Sequence, residues 1–343
     1  MKADMQFRSF SEGEGAWRQL LEAAPGPTLY HRPSWVELLS RAYGLSFWLA
    51  TIHRNQKVRA GCLFARSRNP FTRRFVSLPF SDTCPPLAID GGAADELLDA
   101  LIAENASATA YEIRGIKGAK PWRTAECFAN WRLDLDRPGA SIAGSLASNF
   151  RRNLQRSLHQ GVRVEQGSGI AYVERFYALL LESRRVFGLP PQPWRFFKLT
   201  HQIFGRDGSL TVWISSQNGQ DVSSAVFLRD RDVAHYKWGA RLPGHQSSAN
   251  HLLFWNAIEE FVSQGVHTLD LGRADVRNQG LAQFKKGLGA CAEPLPYSFY
   301  PRVPANVSPE MLTGTGKLIA KVWARLPIVA TKVLGAAIYR FLA

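Results

Sequence analysis

The segment Asp270-Leu271-Gly272-Arg273 carries side chains that can clamp an anionic group. An arginine at the end of a strand can hold a phosphate or a carboxylate through two parallel N–H donors. Asp270 offers a second interpretation, since it can pair with Arg273 in a purely structural ion pair. Both alternatives stay open, and we assign both residues to substrate binding.

Four more side chains belong to the same predicted substrate-binding set. Tyr236 and Trp238 alternate along a predicted strand, so we expect them to share one of its faces. On that face they either line an acceptor site or form part of the core. Arg241 at the end of the strand and Lys286 farther along the chain add positive charge.

A basic helix is predicted between the two halves of the chain, from Asn149 to His159, and Gly161 is expected to end it. The spacing places three arginines on much of one face: Arg151, Arg152 and Arg156. This face is either an anion platform for phosphates or an RNA backbone, or a solvated surface of the kind that charge runs usually form.

The elements that position these residues follow one another as strand, loop, helix and strand. A strand is predicted at 233–240, and Ser247 or Ser248 can cap a helix that runs to about Gln264. After the next strand, a loop is expected to present residues 284–287. Polar residues at strand ends and helix starts are where α/β enzymes keep their chemistry.

Composition narrows the class of protein. The chain has 343 residues, enough for two domains, and its net charge of +14 suggests an anionic partner: nucleic acid, a phosphate-rich substrate or an acidic membrane surface. The four cysteines are scattered, without the spacing of a zinc site or a disulfide framework, so we predict reduced thiols and no metal. The sequence shows no signal peptide and no apolar run of about 18 residues, so we expect a cytoplasmic protein.

Several segments, in this order, resemble the Fem-type (FemAB) aminoacyltransferases and their relatives described as GNAT-like acetyltransferases. They are YHRPSWVELL, FVSLPFSD, NFRRNLQRSLHQGVRVE, ESRRVFGLPPQP, KWGAR with SSANHLLFWNAIE, LDLGRAD, and FKKGLGA. Together they extend from about Tyr30 to Tyr297. The subgroup that the chain resembles most is the FemAB-like one associated with exosortase/PEP-CTERM systems.

The resemblance implies an α+β fold of two tandem GNAT-like (acyl-CoA N-acyltransferase) lobes, with mixed, mostly antiparallel sheets and flanking helices. We place the N-terminal lobe at 1–140, the C-terminal lobe at 141–300, and a linker with a basic amphipathic helical tail at 301–343. The implied activity is transfer of an acyl or aminoacyl group to an amine. The best-understood members use aminoacyl-tRNA and a peptidoglycan precursor, whereas the resembled subgroup occurs alongside exopolysaccharide production.

One catalytic assignment, the Phe284-Lys285 pair, follows from the resemblance, and another, Asp82, from its place after the strand at Val76. Fem-type enzymes carry Phe-Lys in the last loop of the second lobe, and here the pair is Phe284-Lys285. A cationic Lys285 next to the transferred carbonyl would stabilise the developing oxyanion. Asp82 is a candidate general base for the attacking amine, although an aspartate before Thr-Cys-Pro-Pro also fits a simple turn.

One stretch departs from the pattern of GNAT domains that bind acetyl-CoA. These domains present a turn of the form R/Q-x-x-G-x-G/A, whose backbone N–H groups hold pyrophosphate. Here the turn reads Arg241-Leu242-Pro243-Gly244-His245-Gln246. Pro243 has no N–H, and Gln246 replaces the small residue, so the donor stays open between acyl-CoA and aminoacyl-tRNA, with no bound cofactor expected.

The tail at 317–343 predicts a basic amphipathic helix, which Pro327 divides in two. Its basic residues fall near one face: Lys317, Lys321, Arg325, Lys332 and Arg340. Such a helix either binds the inner face of the plasma membrane or packs on the protein's own lobes.

Three functions remain as hypotheses. The first is an acyl- or aminoacyltransferase acting on an amine-bearing cell-envelope or exopolysaccharide-related precursor, peripheral to the membrane. The second is an acyl-CoA-dependent GNAT N-acetyltransferase. The third is a non-catalytic basic scaffold for RNA or membrane phosphates, with no DNA partner expected in any of the three.

Overall fold

The structure is a computed structural model that describes residues 4–67, 74–104, 109–245, 248–305, 307 and 320–339. The chain divides into two compact units. The first contains the described parts of 1–128 and 294–307, and the second contains 129–293 together with the described part of the C-terminal segment up to 339.

Among the described residues up to 114, the first unit has six strands and three α-helices, with a 3-10 helix at Leu29–His31. They are β1 (Asp4–Ser9), α1 (Phe10–Ala23), α2 (Pro33–Tyr43), β2 (Phe47–Arg54), β3 (Lys57–Arg66), β4 (Arg74–Val76), β5 (Leu87–Ala88), α3 (Ala93–Ala103) and β6 (Ala110–Arg114). β2 pairs antiparallel with β1 and β3, and β4 runs parallel to β6. The β2–β3 turn has positive φ at Asn55 and Gln56, as a two-residue hairpin turn requires.

The second unit contains most of the elements that follow. They are β7 (Arg123–Asp134, from residue 129), α4 (Gly139–Ser145), α5 (Ser148–His159), β8 (Arg163–Gly167), α6 (Ile170–Val186), α7 (Trp194–Phe204), β9 (Leu210–Gln217), β10 (Gln220–Asp230), β11 (Val233–Arg241), α8 (Ala249–Ser263), β12 (Thr268–Asp275) and α9 (Gln279–Gly287). β13 (Cys291–Tyr300) follows, and its residues 297–300 pair with β6 in the first unit. α10 (Ile328–Tyr339) ends the described chain.

The sheet of the second unit joins antiparallel hairpins to a parallel crossover. β8, β9, β10 and β11 pair antiparallel in that order, and Asn218-Gly219 forms a turn with positive φ between β9 and β10, as the Asn-Gly dipeptide favours. Helix α8 then carries the chain to β12, which lies parallel to β11. Each unit therefore has the mixed, mostly antiparallel strand pairing that was predicted.

Helices cover both faces of this sheet. The apolar side of α8 packs on one face with Leu253, Phe254 and Ile258, where it meets Phe227 and Leu269. Helices α6 and α7 pack on the opposite face of these strands. There Phe196 and Phe197 of α7 contact Trp238 of β11. This burial of apolar surface, at about 25 cal/mol per Å², is the main stabilising term for such a layered unit.

A β-bulge in β11 corrects one prediction. Trp238 pairs with Val226, but Tyr236 pairs with the very next residue, Phe227, so one residue of β11 has no partner across β10. Consecutive residues of β10 point to opposite faces, so Tyr236 and Trp238 do not share a face. Tyr236 lies in the α8 cluster, where its ring is 4.9 Å from that of Phe254.

A second correction concerns residues 284–287, which were expected in a loop. They form the last turns of α9, which begins because the Asn278 side chain accepts a hydrogen bond from the Leu281 N–H at 3.1 Å. An Asn cap ahead of a short, mostly non-β-branched run is sufficient to start a helix there.

Pro327 separates two helical stretches of the tail, 320–324 and α10, as predicted. The described tail packs on its own unit. Thr331 and Gly335 of α10 are buried, and a Cβ added to Gly335 would lie 2.7 Å from Pro191, so the helix approaches the 186–192 segment closely. Lys317 and Arg340 lie outside the described residues.

Candidate functional site

Strands β11 and β12 stop pairing with each other partway along their length. Their described parallel register runs from Val233 opposite Thr268 to His235 opposite Asp270. The bulge in β11 follows at once, and Gly272 in β12 has φ +72°, a left-handed conformation that favours glycine. The later residues of both strands therefore border an opening in the sheet.

A buried polar cluster lies at this point. Asp270 is only 5% exposed, and its Oδ1 accepts the Gly272 N–H at 2.8 Å. His235 Nδ1 lies 3.5 Å from Oδ2 of the same carboxylate, and Asn130 donates to it in either orientation of its amide. Arg132 Nε is 4.0 Å away. A buried carboxylate needs such donors, and here they fix the place where β11 and β12 separate.

Lys285 holds the next part of β12. Its side chain is 2% exposed, and its Nζ donates to the carbonyl oxygens of Gly272 at 2.9 Å and Arg273 at 3.1 Å. The ammonium group is thus fixed over a bend in the backbone. Its neighbour Lys286 is exposed, which gives two consecutive lysines opposite environments.

The Phe284 ring anchors α9 to the rest of the unit. It packs edge-on to Phe254 at 5.2 Å and to His251 at 5.7 Å, and it lies 6.0 Å from Phe150. Burial lowers the pKa of His251 below its usual value, so its ring is neutral at pH 7. Its Nδ1–H donates to the Ser248 carbonyl at 3.1 Å, and its Nε2 accepts from Asn153 at 3.3 Å. This network joins α5, α8 and α9.

A cavity of about 460 Å³ lies where β11 leads into the turn before α8. Val186, Phe187 and the turn residues 241–245 line it. The Arg241 guanidinium lies 5.7 Å from the centre of the Phe187 ring, a cation–π distance. Arg241, the one arginine of the turn at 241–246, thus lies on the wall of this cavity. Gln246 lies outside the described residues.

Two buried polar atoms near this cavity have no hydrogen-bond partner in the part of the chain that the structure describes. They are the Oγ of Ser248, a residue 7% exposed at the N-cap of α8, and the Nδ1 of His245. Buried polar groups without partners are uncommon and mark places where a ligand or solvent supplies the missing bond. With the first N–H groups of α8 and with Arg241, they can accept an anion.

The three arginines of the predicted anion platform lie on an exposed surface, as both of its interpretations require. Arg151, Arg152 and Arg156 of α5 are all exposed, and none forms an ion pair with any residue in the described ranges. We call these three residues the α5 arginine face. Because α5 packs on α8, this face lies on the same helical layer as the start of α8.

Asp82 lies in the first unit, whereas the other predicted site residues lie in the second. Its Oδ2 accepts the Tyr30 hydroxyl at 2.6 Å, and its backbone carbonyl accepts the Tyr297 hydroxyl at 2.6 Å. The preceding Leu78 and Phe80 both have positive φ, which is strained for such residues. These contacts fit the turn interpretation, and a role for Asp82 as general base stays a prediction.

The structure thus brings Asp270, Arg273 and Lys285 together around one bend of β12 and puts Arg241 at a nearby cavity. Sequence reasoning missed His235 and Asn130. The sequence marks them only weakly, because each is a single polar residue between apolar neighbours in its strand. Among the described residues no group of His, Cys, Asp and Glu could hold a metal ion. No described helix is long and apolar enough to span a bilayer.

Comparison with known proteins agrees with this geometry. Residues 144–286 match the model of the acetyltransferase (GNAT) domain family. Among solved structures, FemX has 13% identity and a TM-score of 0.62, over 86% of this chain and 96% of that one. A tandem GNAT protein from the clavulanic acid biosynthesis pathway has 14% identity and a TM-score of 0.53, over 86% and 97%.

A third similar structure is the C-terminal domain of a putative lysylphosphatidylglycerol synthetase from Agrobacterium fabrum. It has 10% identity and a TM-score of 0.54, over 96% of each chain. No curated protein matches the sequence significantly. Identities this low establish the fold, while the matched domain establishes the type of enzyme. The chain is therefore an acyltransferase with a GNAT acetyltransferase domain at residues 144–286, in the tandem GNAT-like fold that Fem-type proteins share.

Proposed function

We propose that this acyltransferase moves an acyl or aminoacyl group to the amine of a cell-envelope or exopolysaccharide-related acceptor. The observation that carries the proposal is the buried ammonium of Lys285, fixed beside Arg273 inside the matched domain. The name of one structural neighbour, lysylphosphatidylglycerol synthetase, is that of an enzyme that joins an amino acid to a lipid. FemX, another neighbour, has a similar fold over 86% of this chain.

The reaction is an acyl substitution. The nitrogen of a neutral acceptor amine attacks the donor carbonyl carbon, and a C–N bond forms while the carbonyl oxygen becomes an oxyanion. The intermediate then collapses, breaking the C–O bond of an aminoacyl ester or the C–S bond of a thioester. The amine proton leaves with the released alcohol or thiol.

We assign Lys285 to the oxyanion. Its two carbonyl bonds hold the ammonium in one place, so its positive charge needs no reorganisation when negative charge develops nearby. Burial strengthens the field of that charge because little water screens it. Arg273, half-buried on the same bend, is the second cation for a carboxylate or phosphate of the substrate.

The donor that the chain favours is aminoacyl-tRNA. The α5 arginine face offers three unneutralised guanidinium groups to a phosphate backbone. Pro243 removes one N–H from the turn that would hold the pyrophosphate of coenzyme A. No cofactor is required for either donor.

A second candidate is acyl-CoA, and one observation favours it. The cavity at 241–245 has room for part of a small donor, and the unpartnered Ser248 and His245 atoms beside it suit a phosphate. Under this alternative the protein is an acyl-CoA-dependent N-acetyltransferase.

Proton removal needs no dedicated base in this proposal. Asp82 already accepts the Tyr30 hydroxyl, and its carboxylate is used in that contact. We therefore propose that the acceptor amine enters neutral and that the leaving group takes the proton. We also place the protein in the cytoplasm, at the inner face of the plasma membrane, where envelope precursors carry their lipid.

The melting temperature of the protein with each candidate ligand distinguishes aminoacyl-tRNA from acyl-CoA as the donor. We would compare the purified chain with acetyl-CoA, a longer acyl-CoA, and charged or uncharged tRNA, because a ligand that binds only the native state raises its apparent stability. Stabilisation by charged tRNA above uncharged tRNA supports the first donor, and stabilisation by a CoA ester supports the second. Salt-steep RNA binding, equal for charged and uncharged tRNA and without any transfer product, would refute the proposed enzyme function.

A further inference from the structure

Helix α10 turns an apolar face outward. Val329 is 74% exposed and Val333 64%, and Leu334 and Ile338 are also exposed. The pairs 329/333 and 334/338 are each spaced by one helical turn, and the two pairs lie about 140° apart around the helix axis, so together their exposed side chains cover a broad outer side of the helix. The small residues Ala336 and Ala337 between them are exposed as well.

The opposite side of α10 is already packed. Thr331 is buried, Gly335 lies against Pro191, and the Lys332 ammonium is 5.8 Å from the centre of the Tyr177 ring on α6. The helix is thus anchored to its own unit through one face, and the outward face is not used by any element that the structure describes. Ordinary surface helices place polar residues there.

The charged residues of the tail itself have a single sign, while Glu182 and Asp221 lie near Ile328 at the first turn of α10. Residues 311–343 contain five basic and no acidic side chains. Lys321 and Arg325, which precede α10, are both exposed. A basic surface with exposed valine, leucine and isoleucine is complementary to a bilayer with anionic headgroups, which takes apolar side chains and attracts cations together.

The first residue of α10 lies close to the cavity at 241–245. Ile328, the first residue of α10, lines a second cavity together with Leu242, and Leu242 also lines the cavity at 241–245. The exposed Val186 and Phe187 form the other wall of that same cavity. The start of α10 and the 241–245 cavity therefore border the same part of the second unit.

We propose that the outer face of α10, with Val322, Val186 and Phe187 beside it, is a docking surface for an anionic lipid bilayer, on which α10 lies in the interfacial plane. Docking there holds the edge of the 241–245 cavity at the headgroup level. This inference names the part of the protein that would contact the membrane at the location proposed above. It does not depend on acyl transfer, so either can fail while the other stands.

A second copy of the chain is a poorer occupant of the same face. A two-fold contact through α10 would bring the exposed Lys321 and Arg325 of both copies toward each other. Like charges held close together in a partly desolvated contact destabilise it. An anionic lipid surface instead neutralises them.

The test is vesicle flotation of the full chain. One set of vesicles is phosphatidylcholine alone, and the other contains about one third phosphatidylglycerol, where each basic residue near the surface strengthens binding about fivefold. The double variant Val329→Glu with Val333→Glu should lower partitioning to the anionic vesicles at least about tenfold, because it places carboxylates in the interface. Ile89→Glu, an equally drastic change at an exposed apolar residue of the first unit, is the matched control and should bind as the unsubstituted chain does.

A second variant tests the charge. Lys321→Gln with Arg325→Gln should lower partitioning to the anionic vesicles roughly 25-fold while leaving the melting temperature unchanged, since both side chains are exposed. Equal binding to both kinds of vesicle, or no binding to either, overturns the proposal. So does a dimer in sedimentation that the Val329/Val333 variant dissociates while vesicle binding stays the same, because that result assigns the face to a second copy. Melting curves of each variant exclude loss of fold as the cause.

Discussion

Replacing Lys285 with methionine removes a buried ammonium and keeps the apolar stem of the side chain. The carbonyls of Gly272 and Arg273 then lose donors that lie at 2.9 and 3.1 Å. Hydrogen bonds to charged groups contribute about 1.5–3 kcal/mol each, and relief of the buried charge offsets part of that loss. We expect the free energy of unfolding to fall by about 2–4 kcal/mol and the melting temperature by roughly 5–15 °C.

The neighbouring lysine is the control for this change. Lys286→Met alters the same helix turn by the same side-chain change, but Lys286 is exposed, so its melting temperature should stay within about 2 °C of the unsubstituted value. Lys285→Arg keeps the positive charge and tests whether the two carbonyls accept a larger donor. Circular dichroism melting curves at one pH and salt concentration compare all three.

Activity separates the structural role of Lys285 from its catalytic one. Single-turnover transfer, measured well below the melting temperature with the donor that stabilises the protein, should fall by about 10²–10³ in Lys285→Met. A variant that is destabilised but transfers at the normal rate would show that Lys285 only holds the bend of β12. An unchanged melting temperature would refute the hydrogen-bond reasoning itself.

Three further changes test other parts of the second unit. Gly239→Ala places a Cβ against the Tyr236 hydroxyl and should cost about 1–3 kcal/mol in urea unfolding, whereas Gly280→Ala meets open space on α9 and should not destabilise. Because burial lowers the pKa of His251 in the native state, this side chain binds a proton more readily in the unfolded chain than in the native protein. The unfolding free energy should therefore fall as pH drops through 6.5, and less steeply in His251→Gln, as urea curves at several pH values would show. Changing the α5 arginine face to glutamine should reduce the slope of log binding constant against log salt for tRNA by about 2–3 in filter binding, and an unchanged slope would mean that phosphates bind elsewhere.

The regular elements of the second unit were predictable from local signals. Asn218-Gly219 marks a hairpin by its backbone preference alone, and Gly161 ends α5 through its positive φ. Ser248 occupies the N-cap position of α8, as one of the two expected caps. Each of these depends on neighbouring residues, which a sequence shows directly.

The sequence allowed the residues of the site to be chosen, but not the directions and contacts of their side chains. The bulge that puts Tyr236 and Trp238 on opposite faces depends on pairing with β10, which spacing along one strand does not reveal. Lys285 looked like a cation free to meet substrate, yet its ammonium is bound by carbonyls of a strand ten or more residues away in the sequence. Burial of a lysine is a property of the packed layers and has no local signature.

Residues 297–300 of β13, which pair with β6, follow residues 129–293 of the second unit in the chain. During synthesis β6 is therefore complete long before its partner leaves the ribosome. At ordinary elongation rates the delay is roughly 10–40 s, during which one edge of β6 has no strand to pair with. The first unit should thus depend on chaperones, or on fast translation, more than the second, whose 129–293 core is made without interruption.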